Sequence, residues 1–204
     1  MSPASRLAKY IRSLPDFEIV EGPIEPYCHM GATITEAVFQ AGLNYETVVR
    51  PRVQKILDSH PAARTSSIFL ALLREHGGAN LLAWKEGARK LVTLDALTAF
   101  FVEKGVESEE DLGRWLIEKE SAGLLHEIKG VGPKTIDCLR LLAGIPTVAV
   151  DVHLRRFLRE AGVQATGYEA AKSVISEAAE ILELDLAILD LSIWQYMSNR
   201  SSTG

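Results

Sequence analysis

Short apolar segments with helical spacing fill most of this 204-residue chain and constrain its fold more than any other feature. Leu91, Leu94, Leu97 and Phe101 form one such stripe, in which apolar residues recur every three or four positions. Strict alternation of apolar and polar residues, which is typical of half-buried strands, is rare. Only residues 147–150 are predicted to be extended, and so short a segment does not imply a sheet. The sequence therefore predicts an all-α fold.

Cap and turn residues predict where the helices begin and end. An acidic cluster at 107–111 is predicted to lie at a helix start, where the helix dipole favours negative charge, and is given no catalytic role. The capping-box pairs are Thr33 with Glu36, Ser108 with Asp111, and Thr166 with Glu169. The other predicted boundaries are a start at Asn44 with Pro51 in the first turn or at a kink, a helix over 66–76 ended by Gly77 and Gly78, an end at Leu182, and a last helix over 186–197.

Composition and length place the chain among ordinary globular proteins, since 47% of its residues are hydrophobic and 24% are charged. The length allows one domain or two small lobes. Its two cysteines, Cys28 and Cys138, are too few for a disulfide framework or a four-ligand metal site, so we expect no metal. No apolar run is long enough for a membrane helix, and residues 1–15 lack a signal-peptide pattern, which predicts an intracellular protein without a membrane partner.

The most informative segment is 124–143, where two predicted helices meet at Gly130-Val131-Gly132. The glycines can adopt backbone angles closed to other residues, and Pro133 suits the first position of the second helix. The free N–H groups of such a turn, together with the positive end of the helix dipole, suit a phosphate oxygen. Lysines flank the turn at 129 and 134. The alternative is a plain corner between helices that uses glycine only for its geometry.

A second element follows at 147–156, where Asp151 precedes a helical stripe and is predicted to be its N-cap. Capping favours the ionised carboxylate, although capping alone would account for the residue. Residues 124–160 contain six lysines and arginines against four acidic residues, so they carry +2 while the whole chain carries −5. Basic charge is therefore concentrated where a polyanion would bind. Three further basic residues, Arg6, Lys9 and Arg12, are a candidate extension of this surface.

Taken together, the sequence Ile-Lys-Gly-Val-Gly-Pro-Lys-Thr at 128–135 and Val-Asp-Val-His at 150–153 closely resemble the helix-hairpin-helix base-excision DNA glycosylase superfamily, especially its endonuclease III branch. The resemblance covers 124–160 strongly and follows the helix order from 34 to 197. It implies a two-lobed, all-α glycosylase fold. The implied lobes are an inner helical barrel at 34–146, with the helix-hairpin-helix at about 124–143, and a second lobe formed by 1–33 and 147–204.

The resemblance also implies the chemistry. In that family the lysine matching Lys134 attacks the sugar C1′ of a damaged nucleotide, and the aspartate matching Asp151 supports the developing charge. The implied activity is removal of damaged bases from duplex DNA, followed by strand cleavage through β-elimination from a Schiff base. A lysine in the first turn of a helix lies at the positive end of the dipole, which favours the neutral, nucleophilic amine.

The implied DNA contacts lie in the hairpin and at two other positions. His153 matches the family pattern, although a structural role is its simplest interpretation. Gln40, in Phe39-Gln-Ala-Gly, falls where endonuclease III-like proteins carry a glutamine that fills the gap left by an extruded nucleotide; a solvent-exposed Gln is the alternative. The predicted DNA-binding residues are Lys129, Gly130, Val131, Gly132, Thr135, His153 and Gln40.

One departure from the family concerns its cofactor. Many endonuclease III relatives hold an iron–sulfur cluster through four cysteines after the last helix, whereas this chain has none there, so we expect no cofactor. The expected partner is damaged double-stranded DNA, and a monomer is expected. Two other functions stay open: a glycosylase that only hydrolyses the base, with Asp151 activating water, and a noncatalytic DNA-binding module in which Lys134 contacts phosphate.

Overall fold

The computed structural model describes residues 1–22 and 25–201, in which helices are joined by turns and irregular segments without a strand. The all-α prediction is confirmed. The chain divides into two compact units: a terminal unit, Met1–Ile24 with Pro146–Gly204, and a central unit, Glu25–Ile145. The sequence predicts an inner lobe at 34–146 and a second lobe at 1–33 and 147–204. Residues 23–24 and 202–204, which belong to the predicted second lobe, lie outside the described part of the chain. No described helix combines the length and the apolar character needed to cross a membrane.

The central unit is organised around one buried helix. This helix, α2 (Met30–Phe39), has every residue buried, as expected for a helix that is surrounded by other helices. Gly31 allows the close approach, because a Cβ at this position would lie 2.9 Å from the ring of Phe69. The remaining elements of the unit are a π-helical turn (Tyr45–Val49), α3 (Arg50–Ser59), α4 (Ser66–His76), α5 (Gly78–Leu82), α6 (Arg89–Glu103), α7 (Glu109–Leu116), α8 (Ser121–His126) and α9 (Pro133–Leu142).

The start of α2 corrects the predicted capping box at Thr33 and Glu36. The helix begins one turn earlier, with His29 as its N-cap: His29 Nδ1 accepts from the N–H of Ala32 at 3.1 Å. His29 Nε2 therefore carries the ring proton and donates to the carbonyl of His60 at 2.9 Å. Thr33 instead donates to Glu109. The local pattern failed because Thr33 and Glu36 are buried and bind partners outside the helix.

Other boundaries agree with the sequence in part. The Ser108–Asp111 capping box, the N-cap at Asn44 and the bounds of α4 are confirmed. Gly77 ends α4 as predicted, but Gly78 starts α5.

The terminal unit contains four helices within its described residues. Arg6 and Arg12 of the first helix donate to the carbonyls of Gly162 and Ile181, both at 3.0 Å. These two arginines therefore hold the helix in its own unit, which the charge pattern alone did not predict. The predicted cap at Thr166 is wrong, because Gly167 is the N-cap and provides no side chain. The helices are α1 (Pro3–Ser13), α10 (Val152–Glu160), α11 (Tyr168–Leu182) and α12 (Leu186–Ser201).

Glu109 is the buried acceptor that holds the start of α2, and its removal tests this packing. Its Oε1 accepts from the N–H of His29 at 2.7 Å and from the hydroxyl of Thr33 at 2.8 Å. Because Glu109→Ala leaves two buried donors without a partner, we expect the free energy of unfolding to fall by about 2 kcal/mol in urea titrations. Glu110→Ala is the matched control: this neighbour is exposed, and we expect a change within about 0.5 kcal/mol. Equal midpoints for the two variants would contradict the assignment.

Candidate functional site

The glycine hairpin between α8 and α9 has the predicted special backbone angle at Gly130 but not at Gly132, whose φ of −116° is extended backbone that any residue adopts. Gly130 has φ +95°, a conformation that favours glycine. The N–H of Val131 donates to the carbonyl of Ile128 at 3.0 Å and closes the turn. Gly132 is the N-cap of α9 and provides no side-chain cap, while Pro133 occupies the first turn. The first N–H groups of α9 therefore lack a capping side chain, as a phosphate-binding turn requires.

Thr93 of α6 fixes this hairpin from the side. Its Oγ1 lies 2.9 Å from the carbonyl oxygen of Lys129 and 3.0 Å from that of Arg89, so its hydroxyl can donate to either. A Cβ on Gly130 would lie 2.2 Å from the same hydroxyl oxygen, a separation that leaves no room for a side chain. Glycine at 130 is thus required both by its backbone angle and by the nearby hydroxyl of Thr93. The local sequence does not reveal the contact between Thr93 and the hairpin.

The predicted hairpin contacts differ in their accessibility. Lys129 and Gly130 are exposed and Gly132 is half-buried. The side chains of Val131 and Thr135 are buried, with 6% and 2% of their surface exposed. Contact between DNA and these two residues would therefore have to involve backbone groups.

The structure brings Lys134 together with Gln40, two predicted site residues that are far apart in sequence. Lys134 is half-buried in the first turn of α9, and its Nζ donates to the carbonyl of Gln40 at 3.2 Å. Gln40 is the C-cap of α2. Its Nε2 donates to Oε1 of Glu36 at 2.5 Å, so the carboxamide lies against a buried carboxyl rather than projecting freely.

Glu36 is the centre of a buried polar cluster that the sequence analysis did not identify. Tyr27 donates its hydroxyl to Oε2 of Glu36, and Tyr45 also hydrogen-bonds to the carboxyl. Burial raises the pKa of Glu36, and the hydrogen bonds from Tyr27, Gln40 and Tyr45 oppose that rise only in part. Burial also raises the pKa of Tyr45 to about 12. The spacing of Glu36 and Gln40, one helical turn apart, was the available signal.

A second lysine lies at the same end of α2. Lys90, in the first turn of α6, donates its Nζ to the carbonyls of Val38 and, at 2.7 Å, Ala41. Burial, with a smaller contribution from the charge of Lys134, lowers the pKa of Lys90 to about 8. Nothing in the local sequence distinguishes Lys90 from a surface lysine.

Asp151 and His153 lie in the terminal unit. Oδ1 of Asp151 accepts from the N–H groups of His153 and Leu154, at 2.8 and 3.0 Å, which confirms the predicted N-cap. The His153 ring packs edge-on against Trp194 of α12, with 6.2 Å between ring centroids. His153 thus has a structural contact, and both residues are half-buried.

The cysteines of this chain do not fit the iron–sulfur cluster that many endonuclease III relatives hold. An iron–sulfur cluster held by four thiolates needs twice the number of cysteines in the sequence. Within the described residues Cys28 is exposed, Cys138 is buried, and no group of three or more His, Cys, Asp or Glu side chains is placed to hold a metal ion.

Alanine substitutions at the two hairpin glycines test the turn. Gly130→Ala forces a side chain into a positive φ and against Thr93, so we expect a loss of more than about 2 kcal/mol in the free energy of unfolding. Gly132→Ala is the control, because φ is −116° there and nothing lies within 4 Å of an added Cβ. We expect this second change to stay within about 1 kcal/mol in urea titrations. Equal losses in the free energy of unfolding of the two variants would contradict the role of Thr93.

Glu36→Gln tests the buried carboxyl through the pH dependence of stability. Because the pKa of Glu36 is raised in the fold, the folded protein retains this proton at a pH where the unfolded chain has lost it. The contribution of Glu36 to the free energy of unfolding therefore falls as pH rises from the ordinary value of 4.5 through the folded-state pKa, and is constant above it.

The measurement is the free energy of unfolding of the wild type minus that of Glu36→Gln, from pH 4 to 8. We expect this difference to decrease with pH, since Gln cannot titrate. Exposed Glu103→Gln controls for the loss of one carboxylate. A difference that does not change with pH would contradict a raised pKa.

Comparison with known proteins gives a family but no activity. Searches of curated proteins and of solved structures found no match. Residues 5–198, which include the hairpin, the end of α2 and the Asp151 cap, match the model of a family described as Domain of unknown function (DUF8548), and the chain belongs to that family.

Proposed function

We propose that this chain is a base-excision DNA glycosylase with abasic-site lyase activity and a two-lobed helix-hairpin-helix fold. Its partner is damaged double-stranded DNA, which requires an intracellular location, and it acts as a monomer without a cofactor. The observation that carries the proposal is the turn at Gly130, where the start of α9 has no side-chain cap and Lys134 lies half-buried in the first helical turn. Lys134 also contacts the backbone of Gln40, which the resemblance gives as the gap-filling residue, and the Gln40 carboxamide would have to leave Glu36 to fill a gap.

The hairpin supplies DNA backbone binding in this proposal. The turn at Gly130 and the uncapped start of α9 present N–H groups to a phosphate, and exposed Lys129 adds positive charge. Such contacts fix the position of the duplex without reading its sequence. Removal of a damaged base also requires that the nucleotide leave the stack, at a cost of a few kcal/mol.

The chemical step uses Lys134 as nucleophile. Its neutral amine attacks C1′, the N–C1′ bond forms, and the glycosidic bond breaks with its electron pair leaving on the base, which takes up a proton. Opening of the sugar ring gives an imine between Nζ and C1′. Loss of a C2′ proton then expels the 3′ phosphate, and water releases the lysine. The family resemblance assigns to Asp151 the stabilisation of positive charge at C1′ and the acceptance of the amine proton.

Covalent trapping tests this chemistry. With borohydride and a duplex that carries an abasic site or an oxidised pyrimidine, we expect a reduced adduct that peptide mass spectrometry maps to Lys134. Lys134→Ala should lower the trapped fraction at least about tenfold, since the nucleophile is lost. Lys129→Ala is the matched control, because it removes a nearby positive charge but leaves the amine at 134, and its adduct should still map to Lys134. No adduct on either duplex would contradict the proposal.

Asp151→Asn separates charge from structure. Asn still caps a helix, so the fold should be retained, while the carboxylate is lost. We expect cleavage of the abasic duplex to slow by about a hundredfold or more, measured in single-turnover gels, with unchanged thermal unfolding. Cleavage at the wild-type rate would exclude Asp151 from the reaction.

A noncatalytic DNA-binding module is the second candidate, and the hydrogen bond of Lys134 to the end of α2 favours it, because a lysine can stabilise helix carbonyls without reacting. Equal affinity for intact and abasic duplex, without an adduct, would select this function. Base release without strand cleavage would select the hydrolytic glycosylase in which Asp151 activates water.

A further inference from the structure

The outer face of α10, in the terminal unit, carries an arginine stripe formed by Arg155, Arg156 and Arg159. These residues lie three and four positions apart, so their side chains project from the same face of the helix. The residues of the opposite face are buried: Leu154, Phe157 and Leu158. The packing of α10 therefore directs the arginine stripe away from the core of the unit.

Two of the three guanidinium groups keep a charge that no carboxylate compensates. Arg156 Nε donates to Oε1 of Glu160 at 3.0 Å, which pairs its charge. Arg155 donates only to the carbonyl of Gly167, at 3.3 Å, and the guanidinium of Arg159 has no partner among the described residues. A cation in the last turn stabilises a helix, which accounts for Arg159 but not for Arg155.

Arg6 of α1 extends the arginine stripe past the end of α10. Its Nη1 donates to the carbonyl of Gly162 at 3.0 Å, and the N–H of Gly162 donates to the carbonyl of Arg159, also at 3.0 Å. Arg6 is exposed, and no carboxylate pairs with it within the described residues. Residues 161–201, in contrast, contain six acidic residues against two basic ones. The terminal unit thus concentrates positive charge along α10.

We propose that Arg6, Arg155 and Arg159 bind successive phosphates of the DNA backbone. This inference rests on the DNA partner of the proposed function but not on its chemistry. A guanidinium presents a planar set of donors that matches phosphate oxygens. Four helical residues span about 6 Å, which is comparable with the distance between successive phosphates of one strand. Because Asp151 caps the same helix, this contact would hold a strand near the carboxylate of the proposed reaction.

An anionic membrane is the other surface rich in phosphate, and it fits the arginine stripe less well. Helices that bind a membrane surface bury a broad apolar face in it. The buried face of α10 packs inside the unit, and exposed Val152 is the one apolar residue beside the arginines on the outer face. The chemistry of this face therefore favours nucleic acid.

Salt-dependent binding of an undamaged, fluorescently labelled duplex tests the proposal without any reaction. Anisotropy titrations at several KCl concentrations give the slope of the logarithm of the association constant against that of salt, which loses about one unit for each phosphate contact removed. We expect Arg155→Gln combined with Arg159→Gln to lose about two units and to bind at least about tenfold more weakly at about 0.1 M KCl. Arg159→Gln alone should lose about one unit, and Arg159→Lys should retain the slope.

Arg64→Gln is the matched control, because Arg64 is exposed near the start of α2 in the central unit and its loss should leave the slope unchanged. All of these variants should keep the thermal unfolding of the wild type. Equal slopes for the wild type and the double variant, or no binding of the duplex, would overturn the proposal. Binding to phosphatidylserine vesicles that depends on the arginine stripe, with an unchanged duplex slope, would assign the stripe to a membrane instead.

The outcome is separable from that of the trapping experiment. A reduced slope in the double variant without a borohydride adduct would reject the proposed chemistry but support this inference. An adduct at Lys134 with an unchanged slope would do the reverse.

Discussion

The burial of α2 is the constraint on which the central unit depends. Because all of its residues are buried, its polar ends must be satisfied by protein groups rather than by water. Glu109 accepts from the start of the helix, while Lys90 and Lys134 donate to carbonyls at its end. The same requirement that stabilises the helix therefore places two amines side by side. The C-terminal turn of α2 is therefore both a structural contact and part of the candidate site.

Burial changes the acid–base character of this turn in two opposite directions. It raises the pKa of Glu36 and lowers that of Lys90, so both neutral forms are favoured within one helical turn. Groups perturbed in this way occur more often at functional sites than elsewhere, although ion networks with a structural role also produce them. Tyr27 and Gln40 hydrogen-bond to Glu36 and hold its orientation.

Local sequence was sufficient for features that depend on neighbouring residues. The Ser108 capping box, the Asp151 cap and the start of α9 at Pro133 each follow from a few adjacent positions. Thr33 with Glu36 matched the same pattern and was wrong, because tertiary contacts to Glu109 and Tyr27 use those side chains. Pattern alone does not show whether a polar residue is buried.

The rest of the site could not be predicted because its contacts are distant in sequence. Thr93 reaches the hairpin across 36 positions, and Lys90 reaches Val38 across 52. Neither residue belongs to a motif. The role of each follows only from helix packing, which the periodicity of apolar residues does not specify.

The central claim is that the Gly130–Gly132 turn binds the DNA backbone. An NMR titration with a duplex that contains a tetrahydrofuran abasic analogue tests it directly, without requiring any reaction. We predict saturable shifts of the Gly130 and Gly132 amide signals. The amide signal of Gly105 is the control and should not move, because Gly105 follows the C-terminal end of α6, whereas Thr93 contacts the hairpin near the N-terminal end of that helix. Binding of the duplex that leaves both hairpin amides unchanged, or no binding at all, would contradict the account.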